Sequence, residues 1–229
     1  MKCVLSNSGG KDSCLAFARA LEARHEVLGL FTTVPQGEDA SYFHHLPREL
    51  LAAQAEALGI PLTLLSTSPS TYEADFEALL MKYAKRGIQG CIFGDIDEES
   101  HRAWGEARCR AAGIKALFPL WQEPREALAH EFLRRGFSAQ ITVVNEALLA
   151  PSFLGETLSV SIFQRMKAAG ADVSGEGGEY HSFVTDGPLF HRRVTVRGSS
   201  LGNEGPYHWL TLEVLKDEDF TPRREGETP

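Results

Sequence analysis

The chain has 229 residues, enough to bury a substantial core as one large domain or two small ones. Its 43% hydrophobic and 24% charged content is that of a soluble globular protein, and a net charge of -8 argues against a general nucleic-acid surface. No apolar run approaches the roughly 18 residues of a membrane span, and the first strand-like run starts too close to Met1 for a signal peptide, so a cytoplasmic protein is expected.

In chain order, the first apolar run, residues 3–5, predicts a strand, and the string SNSGGKDS follows it directly from Ser6 to Ser13. A helical pattern comes next, with Leu15, Ala18 and Leu21 at three-residue spacing. Two adjacent glycines at a strand-to-helix junction are suited to cradling a phosphate on backbone N–H groups at a helix N-terminus. The Walker pattern fails, because Leu5 stands where its first glycine belongs and Asp12 where Ser or Thr should follow the lysine. The dinucleotide fingerprint fails too, since Gly9 and Gly10 are adjacent with no third glycine at the required spacing. Ser8, Gly9, Gly10, Lys11, Asp12 and Ser13 remain as hydroxyl donors, flexible backbone, a cation and a carboxylate. Asp12 would repel phosphate directly, so it is expected to work through a bound magnesium ion. The competing reading of the loop is an ordinary glycine turn capped by Ser and Asp.

Further strands are predicted at residues 27–34, 62–65, 91–93 and 116–120, separated by helical patterns on Leu50, Leu51, Ala55 and Leu58 and on Phe76, Leu79, Leu80 and Tyr83. Five strands with four crossovers predict an α/β fold: a Rossmann-like parallel sheet with helices on both faces and its ligand beyond the strands' C-terminal ends. Gly94 and Asp95 fall at such an end, and an acid there suits magnesium or a polar ligand. Arg102 and Glu106 follow on the next helix, four apart and able simply to pair.

The pattern changes after Pro119. A helix near 125–135, a strand near 139–144, a helix near 161–169 and two strand-like runs at 193–197 and 209–215 predict a second, smaller α/β domain from about residue 123, after a first domain over 1–122. The polar tail from Thr221 is expected to fray. Between them lies SGEGGEYHSF, where Glu176 and Glu179 flank Gly177 and Gly178 and His181 follows. Its small and ionisable residues make it the best candidate for holding a second substrate. Cys3, Cys14, Cys91 and Cys109 are scattered with no C-x-x-C pair, which suggests neither a zinc site nor a disulfide framework; the first three are read as core residues.

Taken in order, SGGKDS, GDIDEESHRAWGEARCRAAGIKALFPLW and GEGGEYHSFVTDGPLF resemble the diphthine-ammonia ligase family of PP-loop ATP pyrophosphatases. Thr32-Thr33, QAEALGIP from Gln54 and the Phe153-Leu154-Gly155 turn are similar as well, so the resemblance spans the chain from Cys3 to about Phe190. It implies an adenine nucleotide α-hydrolase domain followed by a family-specific one. It also implies activation of a carboxylate by ATP and Mg2+ to an acyl-adenylate, with release of pyrophosphate, and amidation by ammonia. The implied acceptor is diphthine, a modified histidine on elongation factor 2, or a small molecule; a homo-oligomer is compatible with the resemblance.

By the same resemblance Ser8 to Ser13, Thr32 and Gly94 bind the nucleotide, Lys11, Asp12 and Asp95 are catalytic, and Asp12 and Asp95 hold the magnesium. Arg102, Glu176, Gly177, Gly178, Glu179 and His181 serve the acceptor. Ser174, Ser100-His101-Arg102 and His44-His45 depart from the family's usual residues. Two other readings follow the ligase in order: a non-catalytic adenine-nucleotide sensor, and a PP-loop enzyme acting on tRNA, which the acidic charge and the cysteine spacing disfavour.

Overall fold

A computed structural model describes residues 1–42 and 44–215. The first half alternates strands and helices: β1 (Lys2–Ser6), α1 (Lys11–Glu22), β2 (Glu26–Pro35), α2 (Arg48–Leu58), β3 (Leu62–Thr67), α3 (Tyr72–Lys85), β4 (Gly90–Ile92), α4 (Glu99–Ala111) and β5 (Lys115–Leu117). The second half comprises α5 (Arg125–Arg134), β6 (Ser138–Asn145), α6 (Val160–Ala168), β7 (Tyr180–Asp186), β8 (Val196–Glu204) and β9 (Tyr207–Val214). The tail expected to fray from Thr221 lies outside the described residues.

The strands of the first half form the expected five-stranded parallel sheet, in the order β3-β2-β1-β4-β5. Its strands are apolar on both faces because helices cover both. Cys3, Leu5, Leu30 and Ile92 pack against α1 and α2, whereas Val4, Phe31, Cys91 and Phe93 meet α3 and α4. Phe31 and Phe76 meet edge to face at 5.2 Å between centroids, a pairing worth about 0.5–1.5 kcal/mol beyond the area it buries. The chain leaves β1 toward β2 on one side and returns to it through β4 on the other, so the loops after β1 and β4 flank a crevice where strand order reverses.

The second half forms a four-stranded antiparallel sheet, in the order β7-β6-β9-β8. Its cores are shared with the first half. Cys14 and Ala18 of α1 pack with Phe132, Phe163 and Val184, and Leu50 and Leu51 of α2 pack with Phe183 and Leu212. All four cysteines are buried and unpaired, Cys109 included.

Three expectations need correction. The fifth strand ends at Leu117 instead of residue 120, because Pro119 has no N–H to continue a ladder. The strand expected at 193–197 begins at Val196 and runs on through Gly198 and Gly202 to Glu204. Gly202 belongs in that strand because the indole of Trp209, its partner across the pair, lies where a Cβ would sit, 2.4 Å from the nearest ring atom. SGEGGEYHSF, not among the expected strands, is turn only as far as Glu179; Tyr180 onward is strand β7.

Candidate active site

Asn7 organises the loop between β1 and α1. Its side-chain oxygen accepts from the Gly9 N–H at 3.2 Å and the Ser13 hydroxyl at 3.1 Å, and its amide nitrogen donates to Gln54 at 3.1 Å. Thr32 donates to the Asn7 carbonyl at 2.6 Å, tying the loop to β2. The Gly10 N–H turns to the Ser8 hydroxyl at 3.2 Å, so these side chains are the groups a phosphate would displace.

Glycine is required here mainly by packing against α2, the segment before it and the β7 backbone. Gly9 has φ +81, and a Cβ on it would come within 2.9 Å of Leu46; one on Gly10 would come within 2.9 Å of His44 and 3.1 Å of the Ser182 carbonyl. β7 grips the loop directly. The Val184 N–H donates to the Gly9 carbonyl at 2.9 Å, and the Lys11 N–H donates to the Ser182 hydroxyl at 3.3 Å. Gln54, wholly buried on α2, donates to both the Gly9 and Val184 carbonyls, at 3.0 and 2.8 Å.

The resulting cavity has a volume of about 350 Å3. Ser6, Asn7, Ser8, Lys11, Asp12 and Ser13 line it from the loop, Thr32 and Thr33 from β2, and Gly94, Asp95 and His101 from the β4–α4 connection. The family-like turn closes it with Ser174, Gly175, Glu176, Gly178, Tyr180, His181 and Ser182. Gly94 lets β4 end directly against the N-terminus of α1, since a Cβ there would sit 2.9 Å from the Ser13 nitrogen.

Lys11 is buried at the centre. Its ammonium donates to Asp12 at 2.7 Å and to the Ser174 carbonyl, and lies 5.4 Å from the centre of the Tyr180 ring. Burial alone would lower its pKa, but Asp12, Tyr180 and Glu176 together hold it above the ordinary value, so the cation persists. Burial, reinforced by the charge of Asp12, pushes Glu176 up to about 7. Burial also raises Asp95, which His101 approaches at 3.3 Å, with Asp12 adding to the rise. His44 and His181 face each other at 4.4 Å between ring centres; burial is the main cause holding both low, His181 at about 4, so both rings are neutral at physiological pH.

Among the described residues no three His, Cys, Asp or Glu side chains form a ready-made metal cage. Asp12 and Asp95 are hard oxygen donors facing one cavity, and the charge of Asp12 adds to the rise of Asp95. That donor set suits magnesium, which usually binds one or two carboxylates together with substrate phosphates.

Of the residues singled out in the sequence, Ser8, Lys11, Asp12, Ser13, Thr32, Gly94, Asp95, Glu176, Gly178 and His181 come together on the cavity wall. Gly9 and Gly10 stand behind it. Arg102 is not brought to the cavity: it pairs with Glu106 at 2.8 Å and lies 4.8 Å from the Trp121 ring centre. Its neighbour His101 reaches the wall instead, because successive helical residues point about 100° apart. Glu179 folds beneath its own turn, accepting from the Asp172 N–H at 3.3 Å, with its carboxylate 2.7 Å from where a Cβ on Gly177 would lie.

Sequence reasoning missed the scaffold of that turn. Arg125 forks onto Asp97 at 2.6 and 2.7 Å and reaches Asp172 at 2.9 Å. Asp172 in turn accepts from the N–H and hydroxyl of Ser174, and the Ser174 hydroxyl accepts from the Glu176 N–H at 3.3 Å. A lone arginine at the start of a predicted helix carries no sequence signal for this. The paired acids Asp97 and Asp172 are the only trace.

Comparison with known proteins agrees with this geometry. Residues 1–116 match the diphthamide synthase N-terminal domain and residues 124–215 the diphthamide synthase C-terminal domain. Similar curated proteins include the diphthine–ammonia ligases of Homo sapiens, 29% identical over 85% of this chain and 82% of that protein, and of Danio rerio, 27% identical over 98% and 99%. A solved structure described as a predicted subunit of tRNA methyltransferase from Methanocaldococcus jannaschii is similar at a TM-score of 0.48 and 15% identity, covering 82% of this chain and 98% of that one; a likeness at that level does not bear on activity. With both halves matched, in order and over most of its length, the chain belongs to the diphthamide synthase family.

Proposed function

We propose that this protein is an ATP-dependent amide ligase that converts the carboxylate of diphthine to its amide with ammonia. One observation carries the reading: the SGGKDS loop and the GEGGE turn, far apart in sequence, open into a single cavity of about 350 Å3, with Lys11 of the loop donating to the carbonyl of Ser174, the residue that leads into the turn. The name borne by the relatives supplies the acceptor.

In this reading the nucleotide half runs to about residue 122 and the acceptor half begins near 123. The nucleoside lies on the parallel-sheet side, beside Ser6, Thr32, Thr33 and Phe93, and the triphosphate lies over Ser8, Lys11 and Ser13. A carboxylate oxygen of the acceptor attacks the α-phosphorus, and the bond to pyrophosphate breaks. Lys11, buried and cationic, stabilises the charge that builds on both phosphates; one such preorganised donor is worth about 2.7–4 kcal/mol in the transition state. Asp12 and Asp95 would hold the magnesium ion, which supplies further neutralisation of phosphate charge when bound.

Ammonia then attacks the carbonyl carbon of the acyl-adenylate, AMP leaves, and the proton shed by the nitrogen passes to Glu176. A carboxyl poised at about 7 is matched to taking that proton at neutral pH. The buried, unpaired cysteines suit a reducing cytoplasm. Incubation with ATP, diphthine-bearing elongation factor 2 and 15N-ammonium tests the reading. It expects the label in the acceptor only when ATP is present; ATP consumption with no label transferred to diphthine would overturn it.

A further inference from the structure

A second cavity, of about 190 Å3, adjoins the first and shares Tyr42, Gly178 and His181 with it. The β8–β9 hairpin forms its far wall with Glu204, Tyr207 and Trp209. The Trp209 indole is held flat from behind by Gly202, since an added Cβ there would lie 2.4–2.6 Å from three of its atoms. Its front is covered by the imidazole of His45, stacked at 4.3 Å between ring centres and only 4° from parallel. His45 reaches that position from a left-handed backbone, φ +50, a conformation that favours glycine.

The stack is an internal demonstration of what the indole accepts: a planar, neutral nitrogen heterocycle of imidazole size. A ring placed there lies beside the Glu204 carboxylate and His181, which can accept or donate hydrogen bonds at its nitrogens. Because His181 and Gly178 border both cavities, a molecule with its ring on Trp209 can extend a carboxylate into the cavity that holds Lys11 and Glu176. The nucleoside, placed beside Ser6, Thr32, Thr33 and Phe93, does not compete for this platform, since none of those residues lines the second cavity.

We propose that the front face of Trp209 is the docking platform for the imidazole ring of the acceptor, and that His45 occupies it as a stand-in which the acceptor displaces. The platform rests on the ligase reading for the acceptor's imidazole ring and for the direction in which its carboxylate extends. His45 therefore competes with the acceptor, and removing its ring should strengthen binding of an imidazole probe. An aromatic pair of this kind accounts for roughly a two- to tenfold change in affinity.

The test uses the full chain labelled at its three tryptophans, Trp104, Trp121 and Trp209, titrated with 4-methylimidazole and followed by the indole N–H resonances, with Trp209→Phe to assign the third. The probe should move the Trp209 resonance, and His45→Gly, which places glycine at its favoured φ, should bind it two- to tenfold more tightly. Equal affinity in the wild type and His45→Gly, shifts confined to Trp104 and Trp121, or displacement of the probe from Trp209 by ATP would each overturn the proposal. ATP turnover with ammonium and diphthine-bearing elongation factor 2, measured on the same protein preparations without the probe, separates the two readings. Turnover without probe binding sinks only the platform, and probe binding without turnover to AMP sinks only the ligase.

Discussion

At the scale of single residues, Glu176 is the most informative titrating group. Its carboxyl rises from an ordinary 4.5 to about 7 on folding, first through burial and then through the charge of Asp12. The folded state therefore binds the proton more tightly than the unfolded one, so the wild-type protein loses stability as pH rises from about 4.5 to about 7 and the loss levels off above that. Glu176→Gln, which cannot ionise, should gain on the wild type across that window, on the order of 1–2 kcal/mol after allowing for the group's partial exposure. Denaturant melts at pH 5 and pH 8 check this; a difference that does not change with pH would contradict it. Gly94 makes a sharper steric demand. A methyl there meets the backbone of Asp12 and Ser13 at 2.9–3.2 Å, where no side chain can rotate away. Gly94→Ala should cost about 1–3 kcal/mol by overpacking, and should weaken ATP binding because the start of α1 must shift, as thermal melts and a nucleotide titration would show. The loop residues were legible from their order alone, but the choice between Arg102 and His101 was not. One residue of helical rotation decides which reaches the cavity, and packing fixes that rotation, with Trp104, Gly105 and Cys109 on the sheet side and Arg102 over Trp121.

At the scale of elements, the SGGKDS loop is held by two segments that lie far from it in sequence. Gln54 on α2 satisfies the Gly9 and Val184 carbonyls and the Asn7 amide at once, with no exposure to water. Gln54→Leu keeps the volume but leaves buried polar partners unpaired, at about 1–3 kcal/mol for each group left without one. We expect about 2–4 kcal/mol lost in unfolding free energy and a rise in the KM for ATP; a variant as stable as the wild type would show that water replaces the amide there. The helices and central strands of the first half were readable because three- and four-residue apolar spacing and short apolar runs are local signals. β7 and the part of β8 beyond Arg197 were not. Glycines that make room for a turn or for a facing indole read locally as loop, although β7 is the strand that docks the second sheet onto the loop.

At the scale of the whole molecule, the two sheets meet around α1 and α2, whose faces pack into the cores of both. The catalytic groups we propose lie on that seam, Lys11, Asp12 and Asp95 from one side and Glu176 from the other, and we expect ATP cleavage there to depend on the acceptor. The most direct test of the account is the identity of the nucleotide product. With ATP labelled at the α-phosphate, ammonium and diphthine-bearing elongation factor 2, it predicts AMP with an equal amount of pyrophosphate, dependent on the acceptor and lost in Lys11→Met. Formation of ADP and inorganic phosphate, under the same conditions and abolished by the same substitution, would contradict it.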